Sequence, residues 1–113
     1  RDADLTFDVR FLPNPHYESD LRDLTGLDPE VVEYVEGSDG IADFYDRLVP
    51  LLDYLLPAYE QEGKTHLTVG IGCTGGRHRS VVISEHLARI YEERGEFLVD
   101  RVHRDIEKPP RRP

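Results

Sequence analysis

The sequence holds a single cysteine among its 113 residues, so it can form neither an internal disulfide nor a cysteine-rich zinc centre. A reducing compartment is the natural setting, and cytoplasm is the expectation. No apolar run approaches the ~18–20 residues that a spanning helix needs. The opening residues, Arg1 to Asp8, also lack the basic-then-apolar pattern of a signal peptide, so no membrane partner is expected. A G-x-x-x-x-G-K-[ST] loop is missing, and Gly70, Gly72, Gly75 and Gly76 are wrongly spaced for G-x-G-x-x-G. Nucleotide hydrolysis is therefore not expected of this chain, and neither a cofactor nor a metal is implied. The first residue is Arg1 rather than methionine, which reads as a segment trimmed or cut from a longer protein.

Cations are scarce in the first half. Residues 1–57 hold four Arg/Lys against 14 Asp/Glu, whereas residues 58–113 hold ten against nine. The formal charge of -9 argues against a domain that grips nucleic-acid phosphates over its whole surface. An anionic ligand is instead expected at a local site in the second half, where Arg77, Arg79, Arg101, Arg104, Lys108, Arg111 and Arg112 are concentrated. The length suits one domain, and the 38% of hydrophobic residues is enough to build one core.

Apolar and polar residues alternate from Leu5 to Phe11, which predicts a strand with Leu5, Phe7, Val9 and Phe11 on one face. Pro13 and Pro15 stop it. Asp28, Pro29 and Glu30 read as N-cap, first helical residue and first-turn acid of a short helix over residues 29–36, which Gly37 ends. Apolar residues at three- and four-residue intervals from Ile41 to Tyr59 predict the main amphipathic helix, bent or broken at Pro50 and again at Pro57. His66 to Cys73 is the second predicted strand, with Gly70 and Gly72 leaving one face bare for close packing. A Gly-rich turn over residues 74–79 leads to a helix that ends at Gly95. Phe97 to Val102 is the third predicted strand. The order β, α, α, β, α, β predicts a small layered α/β domain, with a short, mainly parallel sheet and helical crossovers, over residues 1–104. Residues 105–113 read as a mobile, basic, proline-rich tail.

The segment Gly70 to Ser80 lies between a predicted strand and a predicted helix. A helix start offers unpaired N–H groups and partial positive charge, and Gly75 and Gly76 let backbone approach a ligand closely. Arg77, His78 and Arg79 add donors, and the planar fork of an arginine can hold two phosphate oxygens. Cys73, Thr74, Gly75, Gly76, Arg77, His78 and Arg79 are thus the candidate phosphate cradle. Cys73 to Ser80 also satisfies C-x-x-G-x-x-R-[ST] and resembles the phosphate loop of cysteine-dependent phosphatases. In that alternative Cys73 is the nucleophile and Arg79 the clamp. Against it, Gly72 stands where most such enzymes have histidine, and no loop presents a general-acid aspartate. Asn14 and His16 leave the first strand at the edge where Cys73 leaves the second, so they are expected to face the same pocket. Arg10, His103 and Arg104 form a candidate second basic cluster, although Asp8 can pair with Arg10. The tail cations Lys108, Arg111 and Arg112 offer RNA only a weak hold without interleaved aromatics.

Four blocks, Arg10 to His16, Leu24 to Asp28, Gly72 to Ser80, and His103-Arg104, together resemble the C-terminal domain of the RapZ family across nearly the whole chain. The resemblance implies a non-catalytic ligand-sensing domain that follows an N-terminal P-loop nucleotide-binding domain. It also implies an RNase adaptor linked to small-RNA regulation, glucosamine-6-phosphate or a related sugar nucleotide as ligand, and a homo-oligomer. By position, His16, Thr74, Gly75 and Arg79 would line the sugar-phosphate pocket. RNA is the partner that transfers least readily, because acids and prolines interrupt the basic end of this chain.

Overall fold

In the computed structural model, residues 3–72 and 77–103 are described. Strand β1 is Leu5–Asp8, with Leu5 and Phe7 packed toward the core. It is shorter than the alternation predicts, because the chain turns directly after it. The Val9 N–H donates to the Gly72 carbonyl at 2.8 Å, and the Leu12 N–H bonds back to the Val9 carbonyl at 3.1 Å. That turn buries Val9 and Leu12 under the strand end and rotates Phe11 outward, 63% exposed, with its ring edge against Phe44. Pro15 then opens a 3-10 turn, Pro15–Tyr17, and Asn14 caps it by accepting from the His16 N–H at 3.1 Å.

Helix α1, Pro29–Glu36, has the predicted bounds, with proline in its first turn and Val31 and Val35 fully inside. Helix α2 runs without a break from Ile41 to Gln61, and this corrects the expectation of an interruption at Pro50 or Pro57. Both prolines lie on the exposed side of the helix, so water can solvate the carbonyls that lose their donors. On the opposite side Ile41, Leu48 and Leu52 are buried, with Phe44, Tyr45, Val49 and Leu56 packed around them. Tertiary packing therefore outweighs the local cost of the prolines.

Strand β2, Val69–Gly72, pairs in parallel with β1, with Leu5 opposite Val69 and Asp8 opposite Gly72. The bare face at Gly70 is filled: a Cβ there would lie 3.1 Å from the Thr6 methyl and 3.2 Å from the Ala3 Cβ. Helix α3, Arg79–Arg94, returns across the sheet with Val82, Ile83, Leu87 and Tyr91 in the core. Gly95 ends it in the left-handed region, at φ +71°.

The third predicted strand is not formed, and among the described residues the sheet has two strands. The alternation in that segment is nevertheless obeyed. Phe97 and Val99 pack against the core while Leu98 and Val102 face outward. That packing and a set of side-chain ion pairs hold the segment in place of a backbone ladder. Arg101 pairs with Glu85 and Glu92, and His103 pairs with Glu85 at 2.7 Å. The result is a small α/β domain in which the short parallel pair and three helices share one core. Among the described residues no helix is long and apolar enough to cross a membrane. The predicted tail, 105–113, lies outside the described residues.

Candidate functional site

Parallel pairing sends the ends of β1 and β2 out at one edge of the sheet, where the Val9 N–H to Gly72 carbonyl bond ties them together. Loops that leave such an edge share a crevice in open α/β sheets. The predicted loop residues Cys73, Thr74, Gly75 and Gly76 lie outside the described residues. The chain is described again at Arg77, two residues before α3.

Arg77, His78 and Arg79 each reach a backbone carbonyl of the segment that follows β1. Arg79 Nη1 donates to the carbonyls of Arg10 and Leu12, both at 2.8 Å. The Nε2–H of His78 is directed at the Leu21 carbonyl, 3.2 Å away, and Arg77 Nη2 donates to the Asp23 carbonyl at 3.1 Å. Three residues read as ligand donors thus join two loops. Arg79 and His78 are only 3% and 4% exposed, so this joint is part of the interior. The Arg79 Nε is buried without a hydrogen-bond partner among the described residues.

The electrostatics of the joint follow from burial. Loss of water holds the His78 pKa below its ordinary value; the carbonyls of Leu21, Leu24 and Arg22 oppose that shift, and the nearby Arg77 charge adds to it. The imidazole is therefore neutral at pH 7. Asp8 is held below the usual carboxylate range, first by the Arg10 side-chain bond and with a smaller contribution from the Arg79 charge. The His78 side chain makes no capping hydrogen bond among the described residues, and this 16-residue helix starts beside a buried guanidinium.

Asn14 and His16 form one local unit in the segment that follows β1. The Asn14 side-chain oxygen accepts from the His16 N–H, the His16 carbonyl accepts from Arg22 Nε at 2.7 Å, and the half-buried His16 ring meets Tyr17 edge-on. The candidate second cluster is dispersed over separate acids. Arg10 pairs with Asp8 on the exposed side of the β1 end, His103 pairs with Glu85 on α3, and Arg104 lies outside the described residues. Among the described residues no group of three or more His, Cys, Asp or Glu side chains is arranged to hold a metal ion.

Two constellations escape the sequence reading. In the turn Thr25 to Asp28, the Gly26 N–H donates to the Arg77 carbonyl at 2.8 Å. Its signal is present in the sequence, since Thr-Gly-x-Asp is turn chemistry in which side-chain oxygens cap nearby amides. The other lies between the helices, where Tyr45 and His86 stack with ring centroids 3.8 Å apart and both contact one Glu36 oxygen at 3.2 Å. Burial, and then the Glu36 charge, push the Tyr45 hydroxyl pKa upward. No local spacing announces that cluster, because Glu36 and His86 are 50 residues apart.

Comparison with known proteins places this geometry in a family. The RapZ C-terminal domain family is matched over residues 1–107. A nucleotide-binding protein of Brevibacillus brevis is 55% identical over 107 residues, covering 95% of this chain and 36% of that protein. One from Rhodospirillum rubrum is 54% identical over 111 residues, covering 98% and 34%. One from Symbiobacterium thermophilum is 56% identical over 108 residues, covering 96% and 35%. The chain therefore spans about a third of the length of these curated relatives, and it is similar to a domain of larger proteins. With identity above one half across almost its entire length and a family match over residues 1–107, the chain belongs to the RapZ C-terminal domain family.

Proposed function

We propose that this domain senses a phosphorylated amino sugar, glucosamine-6-phosphate or a related sugar nucleotide, at the turn between β2 and α3. The observation that carries the reading is the buried Arg79 in the first turn of α3, at the edge where both parallel strands end. A helix start attracts an anion through its first N–H groups and its partial positive charge. A guanidinium removed from water adds a full charge to the same place and is less screened there than on the surface.

The roles divide accordingly. Thr74, Gly75 and Gly76 would offer backbone and hydroxyl donors to the phosphate. Cys73 would be the first residue of that loop rather than a nucleophile. Arg79 would contribute charge and its unpaired Nε, while its Nη1 stays on the loop after β1. Asn14 and His16 would meet the sugar end, with Arg77 and His78 fixing the loop that carries them. Relatives about three times as long fit a sensor coupled to a P-loop nucleotide-binding domain, in the family setting of an RNase adaptor for small RNA.

Calorimetry with glucosamine-6-phosphate and with glucosamine tests the reading. The phosphorylated sugar is expected to bind at least tenfold tighter, roughly the value of one charge-assisted contact. Equal affinities would show that there is no phosphate cradle. Cys73→Ser is expected to keep the affinity, and robust hydrolysis of an aryl phosphate by the wild type would instead favour a phosphatase.

A further inference from the structure

Asp28 stands immediately before α1, where a carboxylate ordinarily accepts from the first helical amides and adds about 1 kcal/mol to helix stability. Its side chain makes no such bond. One carboxylate oxygen, Oδ2, instead accepts from the Thr25 N–H at 2.8 Å and lies 3.4 Å from the Thr25 hydroxyl. That hydroxyl in turn accepts from the Leu27 N–H at 3.2 Å. The chain gives up a helix cap and closes a turn with the same group.

The closed turn presses Gly26 onto the start of α3. Its N–H donates to the Arg77 carbonyl, and a Cβ at this position would lie 2.6 Å from both the His78 carbonyl oxygen and the Val81 Cβ. Only a bare α-carbon allows that approach. Directly upstream, the carbonyls of Leu21 and Asp23 accept from His78 and Arg77. Residues 21–28 therefore grip the chain at the point where the proposed phosphate loop becomes helix.

We propose that Thr25, Gly26 and Asp28 are positioning residues for the start of α3, Arg77 to Val81, on which anion binding by Arg79 depends. The assignment rests on the sugar-phosphate reading. Binding at a helix start requires amide N–H groups aimed at fixed oxygen positions, and such sites lose much of their strength when the supporting groups are loosened. The turn supplies that support from outside the site.

Asp28→Ser tests the assignment, because serine caps α1 at least as well as aspartate but is too short to reach Thr25 in the same way. Glucosamine-6-phosphate affinity is expected to fall about tenfold, the cost of loosening one charge-assisted bond. Amide exchange at Gly26 and over residues 82–85, the first hydrogen-bonded amides of α3, should quicken, while α1 stays protected. Thr25→Val should move both readouts in the same direction, and it guards against a fold defect peculiar to position 28. Unchanged affinity in folded Asp28→Ser overturns the proposal, whether or not exchange quickens; faster exchange with unchanged affinity leaves the turn as a brace only. Should the wild type bind no glucosamine-6-phosphate, the ligand reading fails by itself. The exchange measurement then decides alone whether the turn positions the start of α3, and protection equal to wild type rejects it.

Discussion

The guanidinium of Arg79 meets the carbonyl oxygen of Leu12 at 2.8 Å across 67 residues of sequence, and it meets that of Arg10 at the same distance. One side chain thus fixes the start of α3 against the segment that leaves β1. Arg79→Met removes the donor from two carbonyl groups at once and is expected to lower the unfolding free energy by about 2–4 kcal/mol. Arg79→Lys should recover only part of this, since an ammonium lacks the planar fork. Urea denaturation reads both. A Met variant with the wild-type midpoint would show that water replaces the guanidinium without loss.

Gly26→Ala places a methyl group where a backbone oxygen and a side-chain carbon already stand, each 2.6 Å away. Neither neighbour is the loose end of a long side chain. The expected loss is about 1–3 kcal/mol, typical of forced overpacking, and thermal unfolding should show it as a lower midpoint. A stable alanine variant would mean that the turn can move away from α3 at little cost.

How far the sequence disclosed this arrangement depends on how local each interaction is. Pro29 to Glu36 and the stop at Gly95 were readable because proline, glycine and apolar spacing act within one or two helical turns. Pro50 misled, since its local penalty is set against the burial of Leu48 and Leu52, which periodicity lists but cannot weigh. In Phe97 to Val102 the alternation correctly gave the inward and outward sides. Whether a neighbouring strand lies alongside is a tertiary fact that alternation does not encode. Arg77, His78 and Arg79 were legible as a basic group at a helix start. Their carbonyl partners were not, because any exposed loop offers such oxygens and only the fold selects Leu12, Leu21 and Asp23.

The buried neutral His78 makes stability depend on pH. Its folded pKa lies below its ordinary value, so as pH falls the unfolded chain takes up the proton first. This contribution is fully present above about pH 6.5 and is lost as pH falls through the folded pKa. His78→Gln, which can keep an N–H near the Leu21 carbonyl without titrating, is expected to flatten this part of the profile. Denaturation of both proteins at about pH 7.5 and about pH 5.5 measures the difference and cancels what the other histidines add. Parallel profiles would remove His78 as a source of acid sensitivity.

Pro50 sits in the interior of α2 on the exposed side, where it denies the Asp46 carbonyl a donor. Pro50→Ala restores the amide and a better helix former, against a smaller gain of disorder in the unfolded chain. The balance is expected to stabilise the domain by about 1–2 kcal/mol. Calorimetric melting should rise accordingly. A lower melting temperature would show that Pro50 bends α2 to fit the core.

The partnership of β1 with β2 also bears on the order in which the molecule assembles. The Thr68 N–H bonds to Asp4 across 64 residues, and closing a loop of that length costs about 4 kcal/mol in chain entropy before the four-residue ladder returns anything. Helices α1 and α2, which lie wholly inside that loop, can form without closing it. The ladder is therefore expected to zip after the helices have drawn the two ends together. The joint of Arg79 with the carbonyls of Arg10 and Leu12 then belongs only to the completed fold, and a nascent or partly unfolded chain presents its acidic helices without it.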